Sequence, residues 1–217
     1  MKAAVALTIL YEDQRGQRQG FGLHTLVKAC VFDAINGERH RIEGALSDYR
    51  PLKGVDNVLK ACREDFDLIA ADGRTVVAVL DNDAIRHKLK LPPTAKDAQV
   101  EQAIRKGCQA PERLLIALIK ENMESVIEAA ATCDPGLDPK RVERAIKRKE
   151  LLERDAILTE FSRERARPLR DCVLGKVPSL QSLVDLLLRI LRGGAAVQET
   201  QPAEAGARKR KGAKLTR

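Results

Sequence analysis

Runs of mainly apolar residues that end in carboxylates recur three times along the chain. The runs cover residues 5–11, 76–80 and 114–119, and the acidic residues that follow them are Glu12, Asp81, Asp83 and Glu124. Runs of this length, two of them rich in β-branched side chains, are typical of buried strands. Segments with helical spacing lie between them. The alternation predicts an α/β fold with a mainly parallel sheet flanked by helices.

The spacing of the other apolar positions predicts further elements. Helical periodicity favours helices over residues 23–35, 55–66, 95–106 and 122–132. A weaker alternation of apolar and polar residues at 40–46 suggests one more strand. Together these segments give the order strand, helix, strand, helix, strand at the start of the chain.

The last third of the chain has a different character. Residues 139–167 are dense in Lys, Arg and Glu, with apolar residues at roughly helical intervals, which predicts a helical extension in two pieces. Residues 178–191 carry a leucine stripe that predicts an amphipathic helix packed on the body. We expect an α/β domain over 1–135, a helical extension over 136–192 and a disordered basic tail over 193–217.

The charge of the chain bears on its partners. A net charge of +8 and a pI near 9.4 favour a polyanionic partner such as DNA or RNA. Residues 195–217 contain six Lys or Arg and two Glu, so the tail holds half of the net charge and the body is only mildly basic. The chain has no Trp and six other aromatic residues, which argues against base stacking as the main mode of recognition.

Cysteines and apolar runs indicate the compartment. The five cysteines are dispersed, with no Cys-x-x-Cys pair, which predicts reduced, mostly buried thiols in a cytoplasmic protein and no zinc site. The first apolar run superficially suggests a signal peptide, but it ends at Glu12 without a small-residue cleavage site, so we interpret it as a strand. No apolar run approaches the length of a membrane span, so we expect no membrane association.

The carboxylates at the strand ends predict a metal site. The carboxyl ends of parallel strands meet at one edge of a sheet, and a cluster of carboxylates there is costly without a cation. Asp81 and Asp83, two residues apart, can turn towards one Mg²⁺ or Mn²⁺, with Glu12 as a third ligand or general base and Glu124 as a fourth contributor. Such an ion polarises a phosphoryl oxygen and activates water. Alternatively, these acidic residues are turn formers and helix N-caps.

Basic residues near these carboxylates are candidates for phosphate contact. Arg15 and Arg18 follow Glu12 in a polar loop, His24 opens the next helix, and Arg86 follows Asp83 by three residues. We assign phosphate binding to Arg15 and Arg86. The alternatives are a solvated loop for Arg15 and Arg18, a helix-start residue for His24, and a carboxylate pair for Arg86.

The motifs resemble the Toprim fold, the metal-binding catalytic domain shared by topoisomerases, bacterial primases and the overcoming-lysogenization-defect nucleases. In that family a Glu follows the first strand and an Asp-x-Asp a later one, as Glu12 and Asp81-Asn82-Asp83 do within residues 3–132 here. The chain is most similar to small Toprim-like nucleases of bacterial defence systems, where an Asn-x-Glu opens a later helix, as Asn122-Met123-Glu124 does. The usual Glu-Gly pair of the family is Glu12-Asp13 in this chain.

The resemblance implies a function that has two rivals. It implies a cytoplasmic, Mg²⁺- or Mn²⁺-dependent nuclease, a hydrolase of DNA or RNA that serves antiviral defence beside an ATPase partner. The first rival is a noncatalytic subunit with a degenerate fold, which holds nucleic acid or a partner through the tail and the helical extension. The second is a phosphatase of the haloacid dehalogenase type. That family places its Asp-x-Asp on the first strand with Thr or Val two residues on, where this chain has Ile85, so it ranks last.

Overall fold

Four parallel strands form the centre of the fold in the computed structural model, which describes residues 6–12, 22–35, 39–70 and 73–193. The strands are β1 (Leu7–Tyr11), β2 (Tyr49–Pro51), β3 (Thr75–Asp81) and β4 (Leu114–Ile119). All neighbouring strands are parallel, and their order across the sheet is β2-β1-β3-β4. The predicted α/β class, with a parallel sheet flanked by helices, is confirmed.

Eleven α-helices surround the sheet in the described part of the chain. They are α1 (Gly22–Ala34), α2 (Arg39–Ala45), α3 (Val55–Arg63), α4 (Phe66–Ile69), α5 (Asn82–Lys88), α6 (Asp97–Arg105), α7 (Met123–Cys133), α8 (Pro139–Ile146), α9 (Leu151–Phe161), α10 (Arg167–Lys176) and α11 (Pro178–Leu191). None of these helices is both long and apolar enough to cross a membrane.

The two faces of the sheet bury different helices because strand side chains alternate between faces. Ile9 and Val77 point to the face covered by α1, α2 and α7 to α11. Leu10 and Ala78 point to the face covered by α3 to α6. Helices α8 to α11 therefore share one hydrophobic core with α1 and the sheet.

The connections between strands create a switch point between β1 and β3. The chain leaves β1 through α1 and α2 over one face and reaches β2 at the edge of the sheet. It then returns over the other face, through α3 and α4, to β3 on the opposite side of β1. In open α/β sheets, ligands bind outside the carboxyl ends of the two strands where the direction of winding reverses.

One predicted strand is a helix in the structure. Residues 40–46 lie mostly in α2 because Ile42, Ala45 and Leu46 follow helical spacing and are all buried against the core. The short strand β2 comes after them and pairs with β1. The predicted helical extension at 139–167 does form two pieces, α8 and α9.

The prediction of reduced thiols is wrong for two of the five cysteines. Cys133 at the end of α7 and Cys172 in α10 form a disulfide, because α10 packs on α7 and brings their Cα atoms to 5.9 Å. Cys30 and Cys62 are buried free thiols, and Cys108 is half-buried. The tail beyond Gly193, predicted to be disordered, lies outside the described residues.

Candidate functional site

A cleft of about 470 Å³ lies at the carboxyl ends of β1, β3 and β4, at the switch point. Its apolar lining includes Leu23, Met123, Leu151 and Leu180. Its charged lining consists of Glu12, Asp81, Glu121, Glu124, Lys149 and Arg154. Three of the predicted site residues, Glu12, Asp81 and Glu124, are therefore brought into one cleft.

Glu12 follows β1 directly and contacts the end of the neighbouring strand. Its Oε2 atom accepts a hydrogen bond from the backbone N–H of Asp81 over 3.0 Å. Burial raises the pKa of Glu12 to about 7, and the charge of Asp81 adds to this, while the N–H groups of Asp81 and Val55 act in the opposite direction. Near neutral pH, Glu12 is thus a carboxyl group that can hold or release a proton.

Asp81 ends β3 and is the N-cap of α5. Its Oδ1 atom accepts hydrogen bonds from the N–H groups of Asp83 and Ala84, at 2.9 and 2.8 Å. These bonds fix the side chain at the helix N-terminus, where a negative charge is favourable. Its Oδ2 atom accepts no hydrogen bond from any residue in the described ranges, which leaves one carboxylate oxygen for a ligand.

Asp83 is not brought into the cleft. It is exposed and absent from the cleft lining, because α5 begins at Asn82 and winds the chain away from the strand direction. Its Oδ1 accepts a long hydrogen bond of 3.4 Å from the Asn82 side chain. The paired orientation of Asp81 and Asp83 that their spacing suggested therefore does not occur in this structure.

Glu124 lies in the cleft as an ion-paired carboxylate. It belongs to the first turn of α7, and its Oε1 accepts a hydrogen bond from Nη2 of Arg154 over 2.7 Å. The Lys149 ammonium is 3.8 Å from the same oxygen. Burial opposes ionisation of Glu124, but its own backbone N–H, Arg154 and Lys149 outweigh burial and lower its pKa.

One of the two predicted phosphate contacts, Arg86, is not a cleft residue. Arg86 is buried outside the cleft, where its guanidinium donates to Asn82, to Asp97 at 2.9 Å and to the carbonyl oxygen of Ala95. These bonds hold the segment before α6 and leave Arg86 in a structural role. Arg15 and Arg18 lie outside the described residues.

His24 is buried behind the cleft rather than in it. Its ring stacks on Tyr49 with centroids 4.0 Å apart. Its Nε2 lies 3.0 Å from the carbonyl oxygen of Leu46, which can only accept, so Nε2 carries the proton and Nδ1 accepts from the Tyr11 hydroxyl. Burial lowers the pKa of His24 to about 4, so the ring is neutral at physiological pH.

The donor set in the cleft suits a hard cation. Within the described parts of the chain, no group of three or more His, Cys, Asp or Glu residues is arranged to hold a metal ion. Glu12 and Asp81 nevertheless offer carboxylate oxygens from adjacent strands. Mg²⁺ keeps several waters and commonly binds through one or two carboxylates plus substrate phosphates, so two such residues fit its requirements.

Arg154 and Lys149 are cleft residues that the sequence interpretation missed. Both lie in a stretch that reads as a solvated, charged helix. A signal was present, however, because Arg154 shares the helical spacing of the buried residues Ile157, Leu158 and Phe161 in α9. A charged residue on an apolar helix face is unusual unless it is paired.

Comparison of the chain with protein-family models, curated proteins and solved structures finds no match. An assignment of function therefore rests on the geometry of the cleft and on the chemistry of its side chains. The resemblance to Toprim-like nucleases remains a prediction.

Proposed function

We propose that the protein is a divalent-metal-dependent phosphodiesterase that cleaves nucleic acid, with Glu12 and Asp81 as the metal-binding carboxylates. The observation that carries the proposal is the position of these two residues. They end neighbouring parallel strands at the switch point, and both line the same cleft. Ligands of open α/β sheets bind at this place.

Each carboxylate has a distinct part in the proposed reaction. Bound Mg²⁺ or Mn²⁺ supplies polarisation of a phosphoryl oxygen and activation of water. Asp81 offers Oδ2 as a ligand while the N-terminus of α5 holds Oδ1. Glu12, with a pKa of about 7, is suited either to bind the cation or to take a proton from the attacking water.

Cations in the cleft support a phosphoester substrate. Arg154 and Lys149 lie on the helical side of the cleft that Glu12 and Asp81 line at the sheet. The net charge of +8 favours a polyanion. Asp83 and Glu124 are left out of the proposed metal site, because Asp83 is outside the cleft lining and Glu124 pairs with Arg154. The resemblance to defence nucleases extends the proposal to an enzyme that works beside an ATPase.

A noncatalytic subunit is the second candidate, and one observation favours it. Glu12 and Asp81 each accept hydrogen bonds from backbone N–H groups, so both residues stabilise the fold without any metal. In that case the cleft binds nucleic acid or a partner without cleaving it. Such binding would be indifferent to the loss of the Asp81 charge.

The experiment is Mn²⁺ binding by electron paramagnetic resonance, with Asp81→Asn compared with Asp83→Asn. Asparagine also caps helices, so the first variant keeps α5 while it loses a ligand charge. We expect Asp81→Asn to weaken Mn²⁺ binding by on the order of tenfold or more, since affinity depends on ligand charge. Asp83→Asn should bind as the wild type does.

Cleavage of single-stranded DNA and single-stranded RNA, assayed on the same samples, connects metal binding to activity. We expect any Mn²⁺-dependent cleavage to disappear in Asp81→Asn and to persist in Asp83→Asn. Wild-type protein that is folded and binds no Mn²⁺, or binds it equally well as Asp81→Asn, would overturn the proposal and favour the noncatalytic subunit.

A further inference from the structure

Arg154 is a fixed cation in the wall of the cleft. The residue is 7% exposed, and two hydrogen bonds of 2.7 Å hold its guanidinium, one from Nε to the carbonyl oxygen of Ala145 and one from Nη2 to Glu124. Its Nη1 makes no hydrogen bond to any described residue, and this nitrogen is not fully buried from solvent. Arg154 lines the cleft, and Nη1 is the nitrogen of its guanidinium that keeps two N–H groups for a ligand.

Lys149 adds a second positive charge on the same wall. It lies in the turn between α8 and α9, its side chain is largely exposed, and its ammonium is 3.8 Å from Glu124. The backbone of Lys149 has a φ of 54°, in the left-handed region that favours glycine. The two cations face Glu124, so these three residues together carry a net positive charge, while Glu12, Asp81 and Glu121 place negative charge elsewhere in the cleft.

The size of the cleft limits what this wall can hold. About 470 Å³ suits a small-molecule ligand, and the apolar lining from Met123, Leu151 and Leu180 suits the non-ionic part of one. A nucleotide unit of a single strand combines one negative charge with a base whose flat faces are apolar. A base-paired duplex is much bulkier than one nucleotide unit and does not fit inside a space of this volume.

We propose that Arg154 and Lys149 form a phosphate-binding subsite for one phosphodiester group of a single-stranded nucleic acid, with Glu124 as the residue that positions Arg154. The inference rests on the proposed function in one respect, because the phosphate subsite and the proposed metal site bind the same substrate in one cleft. A guanidinium held in place loses little entropy when it binds a phosphate, and its hydrogen bonds to an anion are charge-assisted. The carboxylate side and the cationic side of the cleft then bind different parts of one substrate.

The test measures binding of tetrathymidylate and of its uncharged methylphosphonate analogue in EDTA, by fluorescence anisotropy. Wild-type protein is expected to prefer the charged oligonucleotide by about tenfold, and Arg154→Gln to lose most of that preference. Lys149→Ala should lose about threefold and reduce the salt slope by about one. Lys147→Ala is the matched control, because Lys147 is equally exposed, pairs with Glu143 and does not line the cleft.

Any of three results would overturn the subsite. One is a wild-type protein with no preference for the charged oligonucleotide. A second is a preference that Arg154→Gln and Lys149→Ala leave unchanged. A third is a preference that Lys147→Ala reduces as much as Lys149→Ala does. If Arg154→Gln fails to fold by circular dichroism, the comparison of Lys149→Ala with Lys147→Ala decides, since both residues are exposed.

Mn²⁺ binding on the same samples separates this inference from the proposed function. If wild-type protein binds no Mn²⁺ but its charge preference depends on Arg154, the subsite stands and the metal-dependent function fails. If Mn²⁺ binding depends on Asp81 but Arg154→Gln keeps the charge preference, the subsite fails and the metal-dependent function stands.

Discussion

The backbone N–H of Asp81 donates a 3.0 Å hydrogen bond to Oε2 of Glu12, which ties the ends of β3 and β1 together at the switch point. The bond stabilises the ionised form of Glu12, but burial is the larger effect and raises its pKa to about 7. The protonation state of Glu12 therefore affects the hydrogen bond that joins the ends of β1 and β3.

Glu12 should make the metal-free protein less stable as pH rises through neutrality. Its ordinary pKa is 4.5 and its folded pKa about 7, so between these values the folded protein holds a proton that the unfolded chain has released. The stabilising contribution is full below pH 4.5 and is lost as pH rises through 7. Urea unfolding should show a smaller loss of stability over this range in Glu12→Gln than in wild type. If the free energy of unfolding changes with pH equally in wild type and in Glu12→Gln, the raised pKa does not belong to Glu12.

His24 should have the opposite effect. Its ordinary pKa is 6.5 and its folded pKa is about 4. Between these pH values the unfolded chain binds a proton at His24 and the folded protein does not. Stability from the neutral ring is full above pH 6.5 and is lost as pH falls through 4. We expect nuclear magnetic resonance of the ring protons to show no titration of His24 above pH 5. His24→Asn should lose the acid-side decline in unfolding free energy, whereas His87→Asn, at an exposed position, should keep it.

The strand ends were predictable from sequence because their position depends on local patterns. Glu12, Asp81 and Glu124 follow apolar runs, and parallel strands bring their carboxyl ends to one edge whatever the details of packing. What the sequence did not show is how the chain leaves each strand. Helix α5 begins at Asn82, immediately after β3, and this turns Asp83 out of the cleft.

The partner of Glu124 was not predictable for a different reason. Arg154 is 30 residues away in the chain, and it meets Glu124 only because α9 packs against α7 on the same face of the sheet. The local sequence around Glu124 or Arg154 does not predict that contact. The same applies to Cys133 and Cys172, which are joined across 39 positions by the packing of α10 on α7.

Glu124→Gln distinguishes the two roles open to this residue. If Glu124 positions Arg154, glutamine still accepts the hydrogen bond but removes the opposing negative charge. Binding of tetrathymidylate in EDTA should then strengthen severalfold, while Mn²⁺ binding remains at the wild-type level. If Glu124 is instead a metal ligand, as its sequence position suggests, Mn²⁺ affinity should fall as it does in Asp81→Asn. Electron paramagnetic resonance measures Mn²⁺ binding and fluorescence anisotropy measures tetrathymidylate binding, both on one preparation of the variant.

Gly22 should tolerate no side chain, because α1 begins there in close contact with α9. A Cβ atom at Gly22 would lie 2.8 Å from the Cα and 2.9 Å from the carbonyl oxygen of Asp155. Backbone atoms cannot rotate away, so Gly22→Ala should cost about 1–3 kcal/mol in the free energy of unfolding. Gly44→Ala is the matched control in α2, where nothing lies within 4 Å and alanine should add about 0.5–1 kcal/mol. Equal stabilities of the two variants in urea would contradict the close contact.

The Cys133–Cys172 disulfide encloses the segment that carries Lys149, Leu151 and Arg154, so it restrains the cationic wall of the cleft. A bond that closes a loop of 39 positions should stabilise the protein by about 4 kcal/mol through the entropy of the unfolded chain. Treatment with a dithiol, or Cys133→Ser with Cys172→Ser, should lower the free energy of unfolding by that order.

Mn²⁺ binding should survive this loss in protein that remains folded, since Glu12 and Asp81 lie at the ends of strands outside the enclosed segment. Cys108→Ser serves as the control for removal of a free, half-buried thiol and should leave the effect of the dithiol unchanged. Wild-type protein that unfolds at the same urea concentration with and without the dithiol would contradict a role of the disulfide in stability.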